Sequence, residues 1–227
     1  DVVGYDDGAR MRLLGLAREL AHVPGCRLLL ISDSATCPPE LETLGATPFT
    51  LAELDAADST ALLGALLPGD RTPAPEMLGP IHALLGGNPL ALRCAATRLA
   101  AVSPATLLAE SGRLLPGAAQ GAARLGEQSV ALGIELLLAE LSPDERLAVN
   151  ALGLYARGFM EPMTLRTVGL SEDVWAHLKP ALLQAGLLVE EHVAGLNIPR
   201  LALHPALSGH LARRVTPRQR RVLANAY

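Results

Sequence analysis

Three times along the chain an asparagine or a serine, each able to cap a helix, is followed at once by proline: Asn88-Pro89, Ser103-Pro104 and Ser142-Pro143. The side-chain oxygen of Asn or Ser satisfies orphan N–H groups of a first helical turn. Proline at the first helical position gives up an N–H that has no helical partner there in any case. Each pair opens an apolar segment: 88–102 (NPLALRCAATRLAAV), 103–111 (SPATLLAES) and 142–155 (SPDERLAVNALGLY). The last adds Glu145 at the third helical position, the pattern of a capping box. A chain punctuated in this way is committed to helices. Their core must come from Leu, Ala and Val, because aromatic residues make up only 3% of a sequence that is 50% hydrophobic. Ala and Leu are strong helix formers and β-branched residues are sparse, so helix–helix packing is expected over a β-sandwich.

The first fifty residues have a different texture. Residues 9–22 (ARMRLLGLARELAH) place Leu13, Leu14, Leu16, Ala17 and Leu20 on one face, predicting an amphipathic helix that Pro24 and Gly25 end. The short continuous apolar run 27–31 (RLLLI) is read as a buried strand of a parallel sheet, and 47–51 (TPFTL) as a second short strand. Two strands make no independent sheet, so residues 1–51 are expected to be the C-terminal remnant of an α/β domain. The sequence starts at Asp1 with no Met and is read as a piece excised from something longer.

From Thr50 helices take over. The segment 50–53 (TLAE) has capping-box spacing ahead of a short helix at 58–69, and a helix at 75–87 closes on Gly86 and Gly87. Residues 111–126, rich in Gly and Ala, read as a flexible joint, and 129–141 resumes as helix. After the capped helix at 142–155 come a short helix near 162–168 and a longer one over 171–186 with Gly186 as its stop. Strand, turn and strand over 187–204 and a final helix at 205–215 complete the chain's folded part. Helix, helix, helix and hairpin is the order of a winged helix-turn-helix. The expected fold class is mainly α: a sheet remnant at 1–51, a helical bundle with its joint at 52–126, a winged-helix domain with a β-hairpin wing at 127–215, and a linker at 216–227.

Several chemistries are excluded. The chain has one lysine, Lys179, in AHLKPALL with no glycine-rich loop before it, so a Walker A loop is missing from these residues. GxSxG, HExxH, EF-hand and GxGxxG patterns are absent. The six histidines show no paired ligand spacing, and solvated or core roles are expected of them rather than metal binding. Cys26, Cys37 and Cys94 have no CxxC spacing, which points to a reducing cytoplasm rather than a disulfide framework. No apolar run approaches a membrane span. A net charge of −4 gives no overall nucleic-acid footprint. Alone, the chain shows no catalytic machinery.

Three signatures then stand in order: LLLISDS (28–34), GGNPLAL (86–92) within an all-helical segment, and LALHPALSGHLARRV (201–215) after the hairpin. Together they resemble the C-terminal half of the nucleotide-binding module of STAND (NB-ARC-like) signalling NTPases, over nearly the whole chain. The resemblance implies a P-loop domain upstream, with 1–51 the end of its sheet, then a helical and a winged-helix domain. It implies ADP or ATP with Mg and slow ATPase activity in the full-length protein, with no tight nucleotide binding by this piece alone. Gly87, Asn88, Pro89 and Leu90 match the GxP motif, whose proline packs on the adenine end of the nucleotide. A plain helix-capping turn accounts for the same four residues. His204 matches the histidine of the MHD-type motif, which reads the β-phosphate of ADP; here Leu203-His204-Pro205 lacks the usual aspartate, and a histidine capping the last helix is the structural alternative. Many relatives carry an arginine after the strand as a γ-phosphate sensor. Ser32, Asp33 and Ser34 stand there instead, a carboxylate repels phosphate, and Arg27 lies at the wrong end of the strand to replace it.

The leading expectation is thus the regulatory part of an ATP/ADP-gated switch that controls oligomerisation, its C terminus leading into TPR-like sensor repeats that meet protein partners. A nucleotide-independent interaction scaffold is the alternative. DNA binding through 171–186 ranks below both, since that segment offers Lys179 and Gln184 beside Glu172 and Asp173 with no arginine. The arginines at 213, 214, 218, 220 and 221 read as a solvated helix C-terminus.

Overall fold

The cap-and-proline punctuation is realised at all three places in the computed structural model, which describes residues 7–31, 39–42, 45–114, 126–193, 195 and 197–225. The chain divides into two units, Asp1–Ala52 and Glu53–Tyr227.

In the first unit, α1 (Asp7–Ala21) ends in a turn through Gly25, whose φ of 79° lies in the left-handed region, and α2 (Pro39–Glu42) is a single turn. Only Ala17 is buried among the unit's described residues. Leu14 and Leu20 are half-buried, and Leu13 and Leu16, expected on the same inward face, are exposed. The strands expected at 27–31 and 47–51 do not form: both segments are irregular, with Leu29 85%, Ile31 75% and Phe49 85% exposed. A strand exists through its ladder partners, and no described segment pairs with either run. The Ser32-Asp33-Ser34 sensor loop lies outside the described residues.

The second unit is mainly α-helical and carries a small antiparallel sheet. Helix α3 (Ala56–Leu66) answers the short helix expected at 58–69, and its cap is not Thr50 of TLAE. Asp55 caps it, accepting from the Asp58 N–H at 2.8 Å, because the preceding backbone is engaged elsewhere, the Leu54 N–H donating to the Gly87 carbonyl. Then come α4 (Pro75–Leu85), α5 (Pro89–Leu99), α6 (Pro104–Leu114) and α7 (Gly126–Leu137). Residues 115–125 of the expected joint lie outside the described residues. Next follow α8 (Pro143–Leu152), β1 (Phe159–Met160), α9 (Glu161–Val168), α10 (Glu172–Ala185), β2 (Leu188–Glu191), β3 (Arg200–Leu203) and α11 (Pro205–Ala212). The Ser142–Glu145 capping box opens α8, both of its reciprocal bonds being present. Within the expected linker at 216–227, residues Pro217–Asn225 form helix α12, because Thr216 and Gln219 form a reciprocal cap.

The sheet order is β1-β3-β2, all antiparallel, with Leu188 opposite Leu203 and Phe159 opposite Leu201. These four are buried on one face, packed with Trp175 and Leu178 of α10.

Two apolar cores run through this unit. One gathers Leu63, Ile81, Leu85, Leu92, Leu99 and Leu107 from α3 to α6; the other gathers residues of α8 to α11 and the sheet around Trp175. Helix α7 serves both. Leu132 and Leu136, one turn apart, join the first core, whereas Ile134 and Leu138, offset by two residues and so on the opposite face, join the second. Helix α5 does the same with Leu92 and Cys94. The two helices approach closely because Gly133 faces Ala91 and Cys94: a Cβ there would lie 3.0 Å from the Cys94 Cβ and 3.1 Å from the Ala91 Cα. Arg98, buried at the end of α5, closes the edge of this layer through Glu110 of α6, at 2.7 Å, and Glu140 beyond α7.

A second close crossing joins α8 to α11. A Cβ on Gly153 would lie 2.4 Å from the Ala212 backbone nitrogen, so Gly153→Ala is expected to cost about 1–3 kcal/mol by overpacking. Gly112, exposed inside α6 with nothing within 4 Å, supplies the opposite case. Gly112→Ala is expected to stabilise by about 0.5–1 kcal/mol through helix propensity. Urea unfolding of the two variants against wild type checks the pair of signs.

Candidate functional site

The joint between α4 and α5 is the tightest turn of the helical layer. Gly86 and Gly87 both take left-handed backbone, at φ 62° and 71°. The Gly86 N–H returns to the His82 carbonyl at 2.8 Å and the Asn88 N–H to that of Leu85 at 3.2 Å, using two carbonyls that the end of α4 leaves unpaired. Gly87 has a second reason to be glycine. A Cβ at this position would stand 2.0 Å from the Leu54 carbonyl oxygen, and the Gly87 carbonyl accepts from the Leu54 N–H at 2.9 Å. The backbone that approaches Gly87 is thus the chain's own.

Asn88 is the N-cap of α5: its Oδ1 accepts from the N–H groups of Leu90 and Ala91, each at 3.1 Å, and its Nδ2 donates to Glu53 Oε1 at 3.3 Å. Pro89 is exposed at the first helical position, and Leu90 is half-buried against the second core. Around the turn, His82 Nδ1 lies 2.9 Å from the hydroxyl of buried Ser59. Glu53 and Ser59 were not legible as parts of this joint, because Glu53 meets Asn88 across 35 residues and Ser59 meets His82 across 23, and no local pattern encodes such a contact.

His204 caps α11. Its Nδ1 accepts from the Ala206 N–H at 3.1 Å, and its own N–H donates to the Leu187 carbonyl at 2.9 Å. An accepting Nδ1 assigns the ring proton to Nε2. The ring is exposed. No hydrogen bond joins His204 to residues 87–90. What links them is α5: Arg93, one turn past Leu90, donates to the Gln184 carbonyl at 3.2 Å at the end of α10. Gly186 there is in the left-handed region at φ 74° and leaves room for the Arg93 guanidinium, which lies 3.2 Å from where a Cβ would sit. The next residue, Leu187, is the one that receives the His204 N–H.

Helix α11 is held from beneath by a buried carboxylate. Glu135 of α7 meets Arg146 of α8 at 2.5 Å, and His210 and Arg214 at 2.7 Å each. Burial acts to raise the Glu135 pKa. Hydrogen bonds from His210 and Arg146 and the charges of Arg214 and Arg146 outweigh it and bring the carboxyl down to about 2. Lys179 on α10 is committed in the same way, 2.8 Å from Glu161 and 2.8 Å from Glu190. Burial works against its charge and the two carboxylates prevail, raising its pKa. The one cation of α10 that could meet a phosphate is already paired.

Among the described residues no three His, Cys, Asp or Glu side chains converge as a metal site, and no helix is long and apolar enough to cross a membrane. In comparison with known proteins, no family model, curated protein or solved structure matches the chain.

Two measurements test this geometry. Gly87→Ala combines a left-handed backbone with a backbone collision and is expected to cost about 3 kcal/mol or more. Gly169→Ala, with φ 75° in open space, bears the conformational term alone, about 1–2 kcal/mol. Equal losses in urea unfolding would remove the Leu54 contact from the account. For Glu135, a pKa depressed from 4.5 to about 2 contributes stability that is complete above pH 4.5 and is lost as pH falls toward 2. Glu135→Gln should cost about 3 kcal/mol near neutrality by stranding Arg146 and His210's partner atoms, and should flatten the unfolding midpoint between pH 4.5 and 2.

Proposed function

We propose that the chain is the regulatory part of a STAND-type, nucleotide-gated switch that closes over ADP or ATP held with Mg by a P-loop domain outside these residues. In this reading α3 to α6 belong to the helical domain at 52–126, and α7 to α11 with the sheet belong to a winged-helix domain at 127–215 whose wing is the hairpin of β2 and β3. Residues 1–51 belong with the sheet of the P-loop domain, whose missing neighbours explain the apolar exposure of 28–31. The purine lies against the exposed ring of Pro89, beside Gly87, Asn88 and Leu90, and the Nε2–H of His204 donates to the β-phosphate of ADP.

One observation carries the reading. Both candidate elements sit in one body on the same pair of helices, the joint at the start of α5 and His204 beside the end of α10, to which Arg93 ties α5. A nucleotide touching both would favour a single arrangement of that body against the P-loop domain, which is how differential affinity drives a switch. The arithmetic limits the role of His204. Moving an equilibrium from 1:99 to 99:1 takes about 5.5 kcal/mol, whereas one charge-assisted hydrogen bond contributes about 1.5–3 kcal/mol. His204 biases the closed state, and the P-loop domain must supply the rest. Exchange of ADP for ATP then frees the body for oligomerisation, with sensor repeats beyond α12 setting the threshold.

A nucleotide-independent scaffold is the second reading. It is favoured by the engagement of the Gly87 carbonyl and both ends of the Asn88 side chain within the protein itself.

Calorimetric titration of ADP into the chain joined to its P-loop domain tests the proposal. Pro89→Ala and His204→Ala are each expected to weaken binding about tenfold, or about 1.4 kcal/mol. Tight binding indifferent to both changes would discard these sites, and no binding at all would leave the scaffold.

A further inference from the structure

The chain's charge is sharply divided. From His192 to the C terminus its 36 residues hold six arginines and no Asp or Glu, so all 23 acidic residues precede them, against 13 of the 19 basic ones. Two of the six arginines are consumed within the fold, Arg200 by Glu191 and Arg214 by Glu135. Arg213, Arg218, Arg220 and Arg221 are exposed and form no ion pair among the described residues. The cap of α12 fixes their disposition. Gln219 donates to the Leu147 carbonyl and Arg220 to that of Ala212, which turns this side of the helix to the body. Arg218 and Arg221, three residues apart, therefore share the outward side.

A complementary rim lies elsewhere in the same unit. The Leu54–Gly87 backbone bond and the seat of Gly126 against Glu53 bring the starts of α3 and α7 together. Glu53, Asp55, Asp58 and Glu127 are exposed there, and none of them forms an ion pair among the described residues. The basic side of α12 and this rim do not neutralise each other within the chain.

We infer that the arginine face of α12 is a head-to-tail contact for a second copy of this chain, docking on the acidic rim at the starts of α3 and α7. Two different surfaces meeting in this way give a heterologous interface, which builds rings or filaments rather than closed dimers. Arginine forks match carboxylates in pairs. The contact supplies the oligomerisation invoked under Proposed function, but needs no nucleotide.

Sedimentation velocity on the chain without nucleotide tests it, over a concentration series at 50 and 500 mM NaCl. The expected result is concentration-dependent association at low salt that falls at least tenfold in affinity at high salt. Association through exposed apolar residues would strengthen with salt instead and would overturn the inference. The double variant Arg218→Glu/Arg221→Glu should sediment as a monomer. Mixing it with Asp58→Arg/Glu127→Arg chains should restore a complex. A monomeric wild type under every condition, or failure of the mixed charge swap to restore association, refutes the contact. So does a wild type that stays monomeric and binds a 30-mer duplex DNA through the same arginines. Loss of ADP binding in the calorimetric experiment leaves all these outcomes unchanged, so the two proposals fail separately.

Discussion

The second unit depends on the approach of α5 to α7. With Gly133 set against Ala91 and Cys94, two helix backbones come close enough for each helix to present apolar side chains to both cores. Cys94 belongs to this contact: fully buried, its thiol is pushed up to about 12 by desolvation, so it acts as a small apolar side chain. Without the small residues, the two helices would be pushed apart and the packing that both cores share would loosen. With them, the turn at Gly87 and the hairpin end at His204 are coordinates in one body.

The electrostatics follow the same division of labour. Glu135 projects from α7, the helix that both cores share, and gathers Arg146 of α8, His210 of α11 and Arg214 just past its end. An isolated buried carboxylate would be expelled or protonated. Here two guanidinium groups and an imidazole outweigh the desolvation, so α11 is anchored to the spine through charge as well as through Leu207 and Leu211. Packing and charge converge on the helix that His204 caps.

What the sequence disclosed, and what it hid, divides along local against distant interactions. Asn88, Ser103 and Ser142 announced their helices because a cap is decided within four residues, and Gly186 its stop for the same reason. Thr216-Pro217 with Gln219 carried the same signal and was passed over as linker, although its reciprocal cap was there to be read. The runs at 27–31 and 47–51 misled because an apolar segment specifies burial only where a partner exists to bury it. Strand β1 was invisible, since two residues have no period and it forms only because β3 is there to pair with it. In the candidate site, the turn over residues 87–90 was legible and its distant neighbours Leu54 and Glu53 were not. Gly87 looked like a place where a ligand comes close, and the group found there is the Leu54 carbonyl.

That result narrows the role of the joint without removing it. The Gly87 carbonyl and both ends of the Asn88 side chain are engaged in holding the turn, which leaves the exposed ring of Pro89 as the surface the proposed ligand would meet. His204 is different, because its two nitrogens separate the structural task from the proposed one. Capping α11 through Nδ1 requires that nitrogen to accept, which assigns the ring proton to Nε2. A donor at Nε2 is what a phosphate oxygen requires. The tautomer that caps the helix is thus the one the proposed ligand would use. A residue that caps a helix and reads a phosphate need not compromise either role when the first sets the tautomer that the second uses.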